Sequence, residues 1–162
     1  MESRGVIFVC MGNICRSPTA EGVFRHQAAK AGWAAHLRIA SAGTHAYHLG
    51  EPPDRRSQQA ARGRGYDLSA QRARHFQAED FGRFDYILAM DQDNLAALRH
   101  LRPTQFAGHL GLLLDFAPEL GQREVPDPYY GGARGFEDVL DLIERASAGL
   151  LAAIVAEARA NR

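Results

Sequence analysis

The apolar positions of this chain follow two alternating rhythms. The first is short and unbroken. Val6-Ile7-Phe8-Val9 is continuous and rich in β-branched residues, as a strand buried on both faces requires. Residues 86–90 (YILAM) make a second strong strand and residues 38–42 (RIASA) a weaker one. Residues 110–114 (LGLLL) are apolar enough for a strand or a helix. Between these runs the period lengthens to that of a helix. After Ser17-Pro18, the residues Ala20, Val23, Phe24, Ala28 and Ala31 share one face. Ser17 suits the helix cap and Pro18 the first helical position. A second helix is predicted over 54–64, closed by Gly65, and a third over 91–101, with Asp91 as cap and Pro103 beyond its end. The last spans 135–160, with a stripe of Phe136, Val139, Leu140, Ile143, Leu150, Leu151 and Ile154. Strands alternating with helices predict an α/β fold of βαβ units, with a parallel sheet flanked by helices.

The length, 162 residues, fits one domain over 1–162 with a sizeable core. No internal repeat, low-complexity tract or linker interrupts it. Two irregular stretches, 43–53 and 118–134, are long enough to be expected to carry function.

Charge changes the picture by what it excludes. With 19 basic and 19 acidic residues the chain has no overall field for nucleic acid or an anionic membrane. Any anion site must be local. The apolar run near the N-terminus is too short for a signal-peptide core, and the longest apolar stretch, 150–156, falls far below a membrane span. The expected compartment is the cytoplasm, with no nucleic-acid or membrane partner. The two cysteines, five positions apart, make no secreted disulfide framework. C-x4-C lacks a second ligand pair, so no metal site is expected there; His45 and His48 lack a third ligand.

Both cysteines lie in VCMGNICRSP, residues 9–18, directly after the first strand. Ligands of open parallel sheets sit beyond the carboxyl ends of the strands. Gly12 and Asn13 tolerate left-handed backbone, so the loop can turn successive N–H groups inward as an anion nest. The following helix adds its own unpaired N–H groups and positive dipole end. A thiol at Cys10 in that setting, near an arginine, is expected to rest as a thiolate at neutral pH and to act as a nucleophile. Arg16 offers a planar fork for two phosphate oxygens, and the Cys-x5-Arg spacing lets it close the ring around an oxyanion. The Ser17 hydroxyl can accept from a backbone N–H and donate to the thiolate. The G-x4-G-K-[ST] of a nucleotide loop is absent, and Gly131-Gly132-x-x-Gly135 has neither the spacing nor the preceding strand of a dinucleotide fingerprint.

CMGNICRSP resembles the signature loop of the low-molecular-weight protein tyrosine phosphatases. The resemblance continues through SAGTHAYHLGEPPD (41–54), RARHFQAEDFGRFDYILAMDQDNL (72–95) and DPYYGG (127–132), in the family's order and spacing. It implies a Rossmann-like, four-stranded parallel sheet with helices on both sides, and metal-independent hydrolysis of phosphotyrosine without a cofactor. The loop residues Met11, Gly12, Asn13, Ile14, Cys15 and Ser17 would bind the phosphate, while Asn13 and Ser41 match positions that brace the loop.

A thiolate that attacks a phosphate ester must expel an oxyanion, and protonating it contributes roughly 10²–10⁴-fold. Asp127 is the candidate acid. On its own, Asp-Pro is also a turn signal; the resemblance implies the acid role, because the family's general acid sits in the same Asp-Pro-Tyr-Tyr context. Pro128 would extend the backbone at Asp127, and Val125, Pro126, Tyr129 and Tyr130 are expected to desolvate its carboxyl. Tyr47, Tyr129 and Tyr130 resemble the family's aromatic walls. Ile14 stands where the related protein-arginine phosphatases carry threonine, which favours a tyrosine ring. The family also implies a reversible Cys10–Cys15 disulfide that protects the nucleophile, the alternative being a buried, inert Cys15. Gln71 replaces a histidine found in some members. Arg72, Arg74 and His75 read as a solvated basic face. An arsenate reductase of the same fold would relay electrons through later cysteines, and none follows Cys15. The implied partners are a phosphotyrosine-containing protein, a tyrosine kinase among the candidates, and inorganic phosphate as product.

Overall fold

In a computed structural model, which describes residues 3–130 and 132–161 without the side chains of Tyr130 and Ala133, four parallel strands form one sheet in the order β2-β1-β3-β4. They are β1 (Arg4–Cys10), β2 (Leu37–Gly43), β3 (Tyr86–Ala89) and β4 (His109–Leu112). Helices α1 (Arg16–Lys30), α2 (Arg55–Arg62), α3 (Gln92–Leu101) and α4 (Ala133–Ala160) connect and follow them. β1 is central, with Val6, Ile7, Phe8 and Val9 all at 0% exposure. Its side chains alternate between two cores. Val6, Phe8 and Cys10 join residues of α1 and α4, while Ile7 and Val9 join Leu95 and Leu98 of α3 with Phe76, Phe81 and Phe106. A strand covered on both sides cannot show polar alternation, which is why its sequence reads as a continuous apolar run.

The predicted elements are all present, with corrected bounds. The strand expected over 110–114 ends at Leu112, and Leu113–Phe116 tightens into a 3-10 turn. Leu113 and Leu114 are buried there against the core that holds α4, so their apolar character serves packing rather than pairing. α2 stops at Arg62, and Gly65 takes a left-handed φ of 90° after it. Asp91 does cap α3, accepting from the Asn94 amide. Ser17 does not cap α1. The helix starts at Arg16, behind Cys15, and Pro18 is its third residue.

The order β2-β1-β3 puts the successors of β1 on opposite sides of it. The loops that leave β1 and β3 therefore diverge and open a crevice at the C-terminal edge of the sheet. Residues 10–16 and Asp91 meet in that crevice. Among the described residues no helix is long and apolar enough to cross a membrane.

Phe8 is fully buried and meets Phe24 edge to face at 5.5 Å between ring centroids, tying β1 to α1. Phe8→Ala is expected to lower the unfolding free energy by about 3–5 kcal/mol, measured by urea titration.

Candidate active site

The loop after β1 is held from outside by its carbonyls. The Cys10 oxygen accepts from the Thr44 amide at 2.9 Å, Met11 from His45 at 3.0 Å and Ile14 from Asp54 at 2.8 Å. The Cys15 oxygen accepts from the Thr19 hydroxyl at 2.7 Å. Among the described residues, none of the amides of residues 12–15 enters a backbone hydrogen bond. With the carbonyls turned out, the amide face of the loop lines the cavity, the geometry of an anion nest.

One residue produces this curl. Asn13 takes a left-handed φ of 57°, the only such non-glycine among the described residues. The sequence offered Gly12 and Asn13 equally for this role, but Gly12 keeps an ordinary φ. Asn13 is chosen because its side chain is fixed at both ends. Its amide nitrogen donates to Ser17 Oγ at 2.8 Å and Ser41 Oγ at 3.0 Å, and its oxygen accepts from the Arg74 amide at 3.0 Å. Glycine instead matters at Gly43, where a Cβ would lie 2.8 Å from the Met11 oxygen and 3.2 Å from the Asn13 nitrogen. Gly43 lets β2 approach the loop.

Cys10 Sγ lies 3.0 Å from Ser17 Oγ, so the serine expected to cap the helix is used on the sulfur instead. Arg16, 3% exposed, donates to Asp91 Oδ2 at 2.7 Å and the Val125 carbonyl at 2.9 Å, and its other nitrogen lies 3.8 Å from Asp127 Oδ2. Burial works against its charge, but the negative charges of Cys10, Asp91 and Asp127 outweigh it and hold the guanidinium above its ordinary value. Asp91 thus has two tasks, capping α3 and aiming Arg16; the sequence disclosed only the first.

The resulting cavity, about 200 Å³, is lined by Cys10, Met11, Gly12, Ile14, Cys15, Arg16, Tyr47, His48, Asp127 and Tyr129. Tyr47 and Tyr129 stand at its rim, with Tyr47 71% exposed. The side chain of Tyr130 lies outside the described residues. His48, considered from sequence only as half of a metal pair, tilts toward Tyr129 and pairs with Glu51 at 2.8 Å. His45 stacks on Tyr47.

Two expectations need correction. Asp127 is not enclosed by its neighbours: its side chain keeps 31% exposure, one oxygen toward Arg16 and the other accepting from the Tyr129 amide at 3.0 Å. Val125 and Pro128 are buried and Pro126 and Tyr129 exposed, because the first two turn inward while the carboxyl faces the cavity mouth. Of the residues expected to form a solvated basic face, Arg72 is exposed, but Arg74 and His75 are half-buried and tied down. The Arg74 guanidinium forks onto buried Asp80 at 3.1 Å and His75 meets the Thr44 carbonyl at 3.0 Å, fastening residues 74–75 beside the loop. The replacement of histidine by Gln71 leaves no gap. Its amide donates to the Pro18 carbonyl at 2.9 Å and its oxygen faces Ser41 Oγ at 3.4 Å. The Ser41 hydroxyl has one proton, and buried Glu21, at 2.9 Å, is the nearer acceptor. Glu21 carries no sequence signal beyond its helical position.

A curled anion loop at the crevice of a four-stranded parallel sheet, with an arginine across it and a carboxyl at its mouth, places the chain among the α/β phosphatases. It belongs to the low molecular weight phosphotyrosine protein phosphatase family, which residues 5–160 match. It is 47% identical over 152 residues to the low molecular weight protein-tyrosine-phosphatase of Streptomyces coelicolor, covering 92% of each chain. The crystal structure of a protein tyrosine phosphatase from Entamoeba histolytica is similar with a TM-score of 0.92 at 38% identity, covering 96% of this chain and 99% of that one. A Drosophila arginine phosphatase is similar with a TM-score of 0.86 at 31% identity, covering 92% and 96%.

The two cysteines are free and both buried. Burial pushes the Cys15 thiol from its ordinary 9.0 up to about 12; a hydrogen bond with Ser57 pulls the other way, and the charges of Asp54, Cys10 and Asp127 add to burial. The folded protein therefore holds this proton more tightly than the unfolded chain, so stability is full below about pH 9 and falls as pH rises toward 12. Tyr66, pushed up to about 12 by burial and by Glu144, acts with the same sign. Urea titrations from about pH 8 to about pH 11 are expected to show wild-type stability falling with pH, and falling less steeply in Cys15→Ala.

Proposed function

We propose that the chain is a cysteine-dependent phosphatase for phosphotyrosine in proteins. The observation that carries this reading is the position of Cys10 Sγ at the base of an amide-lined loop, with Arg16 beside it and Asp127 at the mouth. In the first step the Cys10 thiolate attacks phosphorus and the bond to the tyrosine oxygen breaks. Asp127, as the carboxylic acid, gives that oxygen its proton. In the second step Asp127, now a carboxylate, takes a proton from water as the water attacks the cysteinyl phosphate. The P–S bond breaks, inorganic phosphate leaves and the thiolate returns. The loop amides of residues 11–16 and the Arg16 fork hold the three equatorial oxygens in both steps, so catalysis rests on position and preorganised charge. Ser17 stabilises the leaving thiolate of the second step by donating to sulfur.

A phenyl ring fits the walls better than a guanidino group does. Ile14 is apolar, and Tyr47, His48 and Tyr129 surround the mouth with aromatic faces. The substrates are products of tyrosine phosphorylation, which makes a tyrosine kinase the partner in the opposing reaction. Free thiols at the site suit a reducing, cytoplasmic setting.

Purified protein is expected to hydrolyse an aryl phosphate without added metal, with inhibition by vanadate, and Cys10→Ser is expected to abolish turnover; full activity in that variant overturns the reading. Asp127→Asn is expected to lower kcat by about 10²–10⁴-fold with little change in KM, measured by steady-state kinetics. An equal loss in phosphate affinity removes Asp127 from the acid role.

A further inference from the structure

We propose that Arg56 is a positioning residue for Asp127, and that Asp54 and Arg56 form a brace that sets the distance between the phosphate loop and the loop carrying the acid. The proposal rests on the reading of Asp127 as general acid. Neither brace residue lines the cavity. Each is tied to one of the two loops, and they are tied to each other.

The links run in one line. The Asp54 amide donates to the Ile14 carbonyl at 2.8 Å, which fastens the start of α2 to the phosphate loop. The Asp54 carboxylate caps α2 by accepting from the Arg56 amide at 2.8 Å. Its two oxygens also accept from Nε and Nη2 of the Arg56 guanidinium, each at 3.2 Å. The same Nη2 donates to the Tyr129 carbonyl at 2.9 Å. The Tyr129 amide donates to Asp127 Oδ1 at 3.0 Å. The guanidinium lies over the Phe136 ring of α4 at 4.7 Å and over the Tyr129 ring at 5.5 Å, so its plane is held by faces as well as by hydrogen bonds. The other end of the acid loop is fixed at Val125, whose carbonyl accepts from Arg16 and whose amide donates to Met90. Asp127 thus hangs between two anchored points, and Arg56 supplies the second.

Guanidinium geometry is what the brace needs. One planar group meets a carboxylate on two edges and still reaches a carbonyl, which a lysine ammonium cannot do from the same place. Without it, the Tyr129 carbonyl loses this donor and the carboxyl is held less closely in place. Proton transfer is sensitive to that placement, and a displacement near 1 Å costs on the order of 10²-fold. In the step that forms the cysteinyl phosphate, the loss falls on substrates whose leaving oxygen needs the proton. Phenyl phosphate needs it; 2,4-dinitrophenyl phosphate, whose phenolate leaves unaided, does not.

The test measures kcat and KM on both esters for wild type, Arg56→Ala, Arg56→Lys and Asp127→Asn. Arg56→Ala and Arg56→Lys are expected to lose on the order of 10- to 100-fold in kcat/KM, which reports formation of the cysteinyl phosphate, on phenyl phosphate and less than about 3-fold on the dinitrophenyl ester, whereas kcat also carries the second step that the two esters share. Asp127→Asn is expected to show the same split, larger. If Arg56→Ala does not fold, Arg56→Lys, which keeps the charge and the stem, carries the measurement. Equal losses on the two esters, or full rescue by lysine, overturn the brace. If Asp127→Asn splits and the Arg56 variants do not, the brace alone is wrong. If Asp127→Asn shows no split, the acid assignment is wrong and the brace falls with it.

Discussion

The left-handed turn at Asn13 is the constraint on which the site depends. A non-glycine residue with positive φ is uncommon and carries strain of order 1–3 kcal/mol when nothing local relieves it. Asn13 holds it because Ser17, Ser41 and the Arg74 amide all bind its side chain. The turn reverses the chain between Gly12 and Ile14, so carbonyls face the surrounding protein and amides face the cavity. An aspartate here would lose both donated bonds. An alanine would lose the whole support and keep the strain.

Around that turn, partners arrive from every layer of the fold. Ser41 comes from β2, Glu21 from α1, Asp91 from the end of β3 and Val125 from the segment before the acid. Each contact is a hydrogen bond between groups that are wholly or partly buried, where an unmade bond is costly. The loop is held by many supports, while the rim tyrosines Tyr47 and Tyr129 are exposed.

Much of this was legible in the sequence, for a physical reason. A strand buried on both faces writes itself as an apolar run, so β1 and β3 were clear. Cys10 and Arg16 were clear because the anion nest is local, made from consecutive residues. What the sequence concealed is non-local or dual. Asp91 reads as a helix cap and is one, which hides its hold on Arg16. Glu21 reads as an ordinary helix residue. Arg74 and His75 look like surface charge until residues 44 and 80 are brought beside them. The enclosure expected of Asp127 failed because it was judged from chain neighbours, whereas exposure is set by which way the turn at Pro128–Tyr130 faces. Gly12 and Asn13 were indistinguishable by propensity, and only the acceptors waiting for an asparagine decide between them.

The span of these supports along the chain has a consequence for how the protein comes to life. Asn13 waits for a residue 61 positions ahead, and Arg16 for groups 75 and 109 positions ahead. Such long closures form late in folding. As the chain leaves the ribosome, the Cys10 sulfur therefore emerges first, and the hydrogen bonds that shape the loop around it close only once the later segments are in place.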